Sequence, residues 1–272
     1  MNFEKIVDAY IAGSPHRKAL NKKEFDYLVQ EISSFRKFKK LSKEISEYIL
    51  QKHYTLEQDL YIFNDSNPEV VDLVYAYNKY THFSHHSALI MHQISTIENN
   101  AIYLSEEIDS ISSPKNTLTQ GNIDLAFSKP QRVTKNIKQF RDKTFYFLKN
   151  QSSTTMETFI NGVKVSNLEK TLIDCTVRPL YSGGTKNILN AFAMVKQLID
   201  ADKLHHHYKK LSFVYPYHQA IGFYLDNAGY KEEFYSKFLA MNSDYDFYLD
   251  YQLTSPQYNP KWRIHYNEDI IQ

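Results

Sequence analysis

The stretch Phe159-Ile160-Asn161-Gly162-Val163-Lys164-Val165-Ser166-Asn167-Leu168-Glu169 decides the fold class. Asn161-Gly162 tolerates positive φ at both central turn positions and sits between apolar runs, which predicts a two-residue β-hairpin. Ser166 and Glu169 then have the spacing of a capping box, so a helix is expected to open there and to stop before Pro179. A hairpin running directly into a helix predicts a mixed α+β body. Outward from it, Glu69 to Tyr77, Ser84 to Ile94 (Ser84 as N-cap) and Asn187 to Ile199 read as helices. Tyr217 to Ala228 reads as a helix closed by Gly229 at C′. Thr144 to Leu148, Asp244 to Tyr251 and Trp262 to Tyr266 read as strands.

The N-terminal part has a different texture. Phe3, Ile6, Val7 and Tyr10 have helical spacing, and Gly13-Ser14-Pro15 stops that helix. A second helix opens at Asn21 with Glu24 three residues on, and Phe25, Leu28 and Ile32 form its stripe. Ser33-Ser34 either breaks the chain or lies within one long helix. A third helix is expected from about Phe35 to Gln51, followed by a hairpin over Tyr54 to Phe63. Three helices and a hairpin make a winged-helix-like head. The turn cluster Asn64-Asp65-Ser66-Asn67-Pro68 sets the expected boundary, with the head at 1–66 and the body at 67–272.

The third helix carries the charge that bears on function. Phe35, Phe38, Leu41, Ile45 and Ile49 fall on one face; Arg36, Lys39, Lys40 and Lys43 fall opposite, with Lys37 at the edge. Cations at a helix N-terminal half oppose the macrodipole, and phosphate contact is one compensation. A solvated charged face is the plain alternative. On the first reading these five residues meet double-stranded DNA, Arg36 being suited to guanine O6 and N7 and the lysines to phosphates.

Composition narrows the rest. The 272 residues are 42% hydrophobic and 15% aromatic, which predicts a packed chain, and the formal charge of +1 leaves any basic surface local. The one cysteine, Cys175, excludes an internal disulfide and, lying in an apolar run, reads as an inert buried thiol. Residues 1–12 lack a signal-peptide pattern and no apolar run approaches a membrane span, so no membrane partner and a cytoplasmic location are expected. There is no Gly-x-Ser-x-Gly elbow, P-loop or Gly-x-Gly-x-x-Gly, and no enzyme activity or cofactor is expected.

Four constellations bear on chemistry or partner contact. His82, His85, His86 and His92 cluster, but no Asp, Glu or Cys lies near them in the chain to complete a zinc set, so no metal is expected. His205-His206-His207 point three ways on a helix and read as surface. Asp246 and Asp250 share a strand face, the minimum for a metal-dependent nuclease, without the lysine such a site uses. In Tyr215 to Leu225, Tyr217, Phe223 and Tyr224 with His218 read either as a partner surface or as a helix packed on the sheet.

Several strings, in order along the chain, together resemble the AbiEi-type antitoxins and transcriptional regulators. They are Phe83-Ser84-His85-His86-Ser87-Ala88-Leu89, then Val165 to Asp174 with Glu169-Lys170-Thr171-Leu172-Ile173-Asp174, then Val177-Arg178-Pro179. Tyr215 to Leu225, including Tyr217-His218-Gln219, and Asp246 to Tyr251 with Trp262-Arg263 complete the set. The resemblance implies an antitoxin and autorepressor of a type IV toxin–antitoxin, phage-defence system. Its head would bind its own promoter, and its body would counter a nucleotidyltransferase-type toxin. Ser84, Ser87, Glu169, Lys170, Thr171, Asp174, Arg178, Tyr217, His218 and Gln219 are the partner or family-motif residues it marks. The family's heads usually end in a Gly-x-Tyr wing, where this chain has Leu60-Tyr61-Ile62. Direct toxin binding and nuclease action are the alternatives.

Overall fold

The computed structural model describes residues 3–13, 17–34, 42–97, 99–108, 118–151 and 155–271 and divides the chain into two units, Met1–Tyr80 and Thr81–Gln272. The fold is α+β, as expected.

The first unit runs α1 (Phe3–Gly13), β1 (Ala19–Leu20), α2 (Lys22–Ser34), α3 (Ser42–Lys52), β2 (Tyr54–Glu57), β3 (Leu60–Phe63) and α4 (Val70–Asn78), with sheet order β1-β3-β2. Helix, strand, two helices and a hairpin is the order of a winged helix. Asn21 caps α2 as a true capping box: its Oδ1 accepts from Glu24 N at 3.0 Å, and Glu24 Oε2 accepts from Asn21 N at 3.1 Å. The apolar stripes of α2 and α3 bury Phe25, Val29, Ile32, Ile45 and Ile49 against Val7, Ile11 and Tyr61. The Tyr61 ring stacks on Phe25 with centroids 3.9 Å apart, fixing the hairpin on the helices. Asp8 ties α1 to α3, accepting from Lys52 Nζ at 2.6 Å and Tyr48 Oη at 3.0 Å.

Two boundaries differ from the sequence reading. α3 is described from Ser42, not Phe35, and residues 35–41, with Arg36, Lys37, Lys39 and Lys40, lie outside the described residues. The first unit continues past the turn at Asn64–Pro68 and takes in α4, because Asn21 Nδ2 donates to Ala76 O at 2.8 Å and Lys18 pairs with Glu69 and Asp72.

The second unit runs β4 (Thr81–Phe83), α5 (His85–Met91), β5 (Ala101–Ile108), α6 (Gln120–Phe127), β6 (Ile137–Phe140), β7 (Lys143–Gln151), β8 (Glu157–Ile160) and β9 (Val163–Ser166). It continues with α7 (Leu168–Val177), α8 (Gly184–Met194), α9 (Ala201–Leu211), α10 (Tyr217–Asn227), α11 (Glu232–Leu239), β10 (Phe247–Tyr248), β11 (Pro256–Asn259) and β12 (Ile264–Asn267). A mixed six-stranded sheet has the order β6-β7-β5-β4-β9-β8, and a small sheet has β10-β12-β11. The expected hairpin is present: Ile160 pairs with Val163, and Asn161 and Gly162 have φ of 50° and 78°.

The helix after the hairpin is capped by Asn167, whose Oδ1 accepts from Lys170 N at 3.0 Å, and not by Ser166. Glu169 instead reaches α9, accepting from Asp200 N at 3.2 Å and pairing with Lys203 at 2.7 Å. α10 ends in a Schellman motif, with Tyr230 N donating to Leu225 O and Gly229 N to Asp226 O. The strand expected over Asp244–Tyr251 shrinks to Phe247–Tyr248, and the helix expected over Asn187–Ile199 occupies Gly184–Met194.

The helical core joins Leu172, Ile188, Phe192, Ile221, Phe223, Phe247, Trp262 and Ile264. Each such side chain contributes roughly 1.5–3 kcal/mol on leaving water. The Trp262 ring lies on Gly222, where any Cβ would overlap it. Among the described residues no helix is long and apolar enough to cross a membrane.

Candidate functional site

α7 places Lys170 and Asp174 one turn apart on the same face, and Arg178 follows at its C-cap. These residues line a cleft in the second unit of about 1290 Å3. Lys129, Arg132 and Lys149 join them, and Asp174 is the one acidic residue among the described lining. Lys170 and Asp174 form a buried ion pair, with Ser166 Oγ donating to Asp174 Oδ2 at 3.2 Å. Their charges therefore cancel, and Lys129, Arg132, Lys149 and Arg178 leave the cleft electropositive.

Burial drives the Asp174 carboxyl up, but Lys170 and His85 outweigh it and hold the group below the usual carboxylate range. Burial pushes the His85 imidazole down to about 3, so the ring is neutral near pH 7. The Cys175 thiol beneath is pushed up to about 12 by burial, which removes its nucleophilic form.

Tyr181, Tyr215, Tyr217 and Tyr251 also line the cleft. Tyr251 stacks on Phe127 with centroids 4.5 Å apart, Tyr217 meets Phe247 edge-on at 5.2 Å, and Tyr181 Oη accepts from Thr134 N at 2.7 Å. Exposed lysine and arginine side chains lining the cleft suit an anionic or acidic partner through charge complementarity, and the tyrosines beside them add contact area of the kind interfaces favour.

Of the motif residues, Lys170, Asp174, Arg178 and Tyr217 line the cleft, and the others lie beneath it or apart from it. Ser84 is the N-cap position of α5, and Ser87 Oγ accepts from Tyr103 N at 2.9 Å. Thr171 Oγ1 donates to Asn167 O at 2.9 Å and Ser166 O at 3.1 Å. Gln219 Nε2 donates to Tyr245 O at 3.0 Å and Trp262 O at 2.9 Å, stitching two segments to α10. His218 is buried within 3.5 Å of Tyr208 Oη, and burial pushes it down to about 4. Of the five residues expected to meet DNA only Lys43 lies among the described residues; its exposed ammonium lies 3.9 Å from Glu47.

The histidines go separate ways. His85 Nδ1 lies 2.9 Å from Ser84 Oγ, His86 Nε2 lies 3.2 Å from Ser95 Oγ, and His92 Nε2 lies 2.8 Å from Ser166 O. His82 turns to Glu157 on β8. His207 is not a surface residue: it is buried, its Nε2 lies 3.1 Å from Asn167 Nδ2, and burial pushes it down to about 4. The strand face expected to carry Asp246 and Asp250 does not form. Asp246 is held by Arg263 Nε at 3.0 Å and Tyr258 Oη at 2.8 Å, and Asp250 accepts from Tyr251 N.

The basic side of the cleft was missed in the sequence. From 129 to 149 the chain carries Lys129, Arg132, Lys135, Lys138, Arg141, Lys143 and Lys149 against Asp142 alone. A windowed charge count exposes this run, which the overall charge of +1 conceals.

No family model and no curated protein matches the chain. Among solved structures, the chain resembles one described as the RV2827C protein from Mycobacterium tuberculosis. The two are 10% identical with a TM-score of 0.61, over 98% of this chain and 92% of that one. The likeness is one of fold.

Proposed function

We propose that this chain is a cytoplasmic, DNA-binding regulator and antitoxin of the AbiEi type. The first unit represses the chain's own promoter, and the second counters a nucleotidyltransferase-type toxin. The observation that carries the reading is the helix–strand–helix–helix–hairpin order of the first unit, in which α3 occupies the position of a recognition helix. The basic residues Arg36, Lys37, Lys39, Lys40 and Lys43 lead into and open that helix. The test is titration of the full chain against labelled DNA from upstream of its gene. Arg36→Ala with Lys40→Ala is expected to weaken binding and to flatten its salt dependence by about one unit of slope per lost phosphate contact. A wild-type chain that ignores this DNA at low salt overturns the promoter reading.

The electropositive cleft favours direct contact with the toxin over indirect neutralisation. Co-purification with the product of the adjacent gene tests this. Arg132→Glu with Lys149→Glu, both exposed, is expected to abolish it.

A further inference from the structure

The helix-facing side of the large sheet gathers three ligating side chains from three strands. His82 on β4 pairs with Ser105 on β5, so Glu107, two residues on, shares its face. Phe83 pairs with Val165 on β9, and Glu157 on β8 pairs with Ser166, which brings Glu157 to that same face. One nitrogen of His82 and one oxygen of each glutamate lie within 4.8 Å of one another.

The contacts inside this group are not those of a finished hydrogen-bond network. His82 is 1% exposed. Its Nδ1 lies 3.0 Å from Glu157 Oε1, which holds the ring, while its Nε2 is buried without a hydrogen-bond partner. Leaving such a buried nitrogen unpaired costs about 1–3 kcal/mol. A cation among them would satisfy a ring nitrogen and a carboxylate oxygen at once. Lys164 Nζ holds the other oxygen of Glu157 at 2.6 Å, which orients the carboxylate as an outer-shell partner does.

We infer that His82, Glu107 and Glu157 form a binding site for a divalent transition metal. One imidazole and two carboxylates make a borderline donor set that suits Zn2+ best and Mn2+ less well, while Mg2+ and Ca2+ prefer oxygen alone. The site neighbours the cleft: Asn150 lines the cleft and donates to Ser105 Oγ at 2.6 Å, and Ser105 is the cross-strand partner of His82.

The test is Zn2+ titration of the full chain after chelator treatment, with heat of binding and melting temperature as readouts. One Zn2+ per chain and a raised melting temperature are expected. Glu107→Gln, at a half-buried position that keeps the fold, is expected to weaken binding at least about tenfold. His82→Gln is expected to do the same, while His205→Ala with His206→Ala leaves affinity unchanged. Absence of saturable Zn2+ binding overturns the site. So does binding that survives Glu107→Gln and His82→Gln but is lost with the α9 histidines.

Discussion

Lys170 and Asp174, one turn apart on α7, form an ion pair that is almost wholly out of water at the floor of the electropositive cleft. Two buried opposite charges tolerate each other because each offsets the other's lost hydration. Lys170→Ala leaves the buried Asp174 without its counter-charge, and a loss of about 3–5 kcal/mol is expected. Lys170→Met with Asp174→Leu removes both charges and should recover most of it. Urea unfolding of the single and double variants checks both expectations.

Gly222 and Trp262 give a steric counterpart. A methyl at Gly222 meets the indole ring, which is also held through Nε1 by Asp226 Oδ2 at 2.9 Å and cannot simply swing away. Gly222→Ala is expected to cost about 1–3 kcal/mol, as overpacked cores do. Trp262→Phe in the same background should relieve part of that cost, and calorimetric melting would show it.

Three buried histidines predict sensitivity to mild acid. Unfolded, their rings ionise near 6.5; folded, His85 does so only near about 3, and His207 and His218 near about 4. Between those values the unfolded chain binds protons that the fold refuses. Stability is therefore complete above the unfolded value and falls as pH drops toward 4, by up to about 1.4 kcal/mol per pH unit for each ring. Denaturant midpoints at about pH 7, 6 and 5 should decline in that order, and His85→Asn should flatten the decline.

At the hairpin, Gly162 has φ of 78°. A β-branched side chain resists that conformation, so Gly162→Val is expected to lose about 1–2 kcal/mol without altering the cleft. Thermal unfolding measures the loss.

What could be read from the sequence was local. The capping box at Asn21, the Asn161-Gly162 turn and the Gly229 stop each depend on residues within a few positions, and all are present. Ser166 misled because Asn167, beside it, is as good a cap and lies one residue nearer the helix. Segments Ala101–Ile108 and Glu232–Leu239 were not read as elements. The first owes its place to pairing with β4 and β7, which no local pattern encodes. The same reason hid Glu107 and Glu157 from His82: the sheet brings them together across long stretches of chain. The cleft was half legible, since the α7 residues stood out as a motif while the basic run from Lys129 to Lys149 was diluted by the balanced total.

The core of the second unit also sets a timetable for synthesis. It packs Leu89 together with Trp262, Ile264 and Ile270, so its closure waits until residue 270 has left the ribosome. Among the described residues, the apolar cluster centred on Phe25 and Tyr61 in the first unit uses nothing beyond Phe63. Nascent chains stalled in mid-translation would thus carry a folded head on an open, aromatic-rich body. It is at that stage, rather than in the finished protein, that chaperones have most to grip.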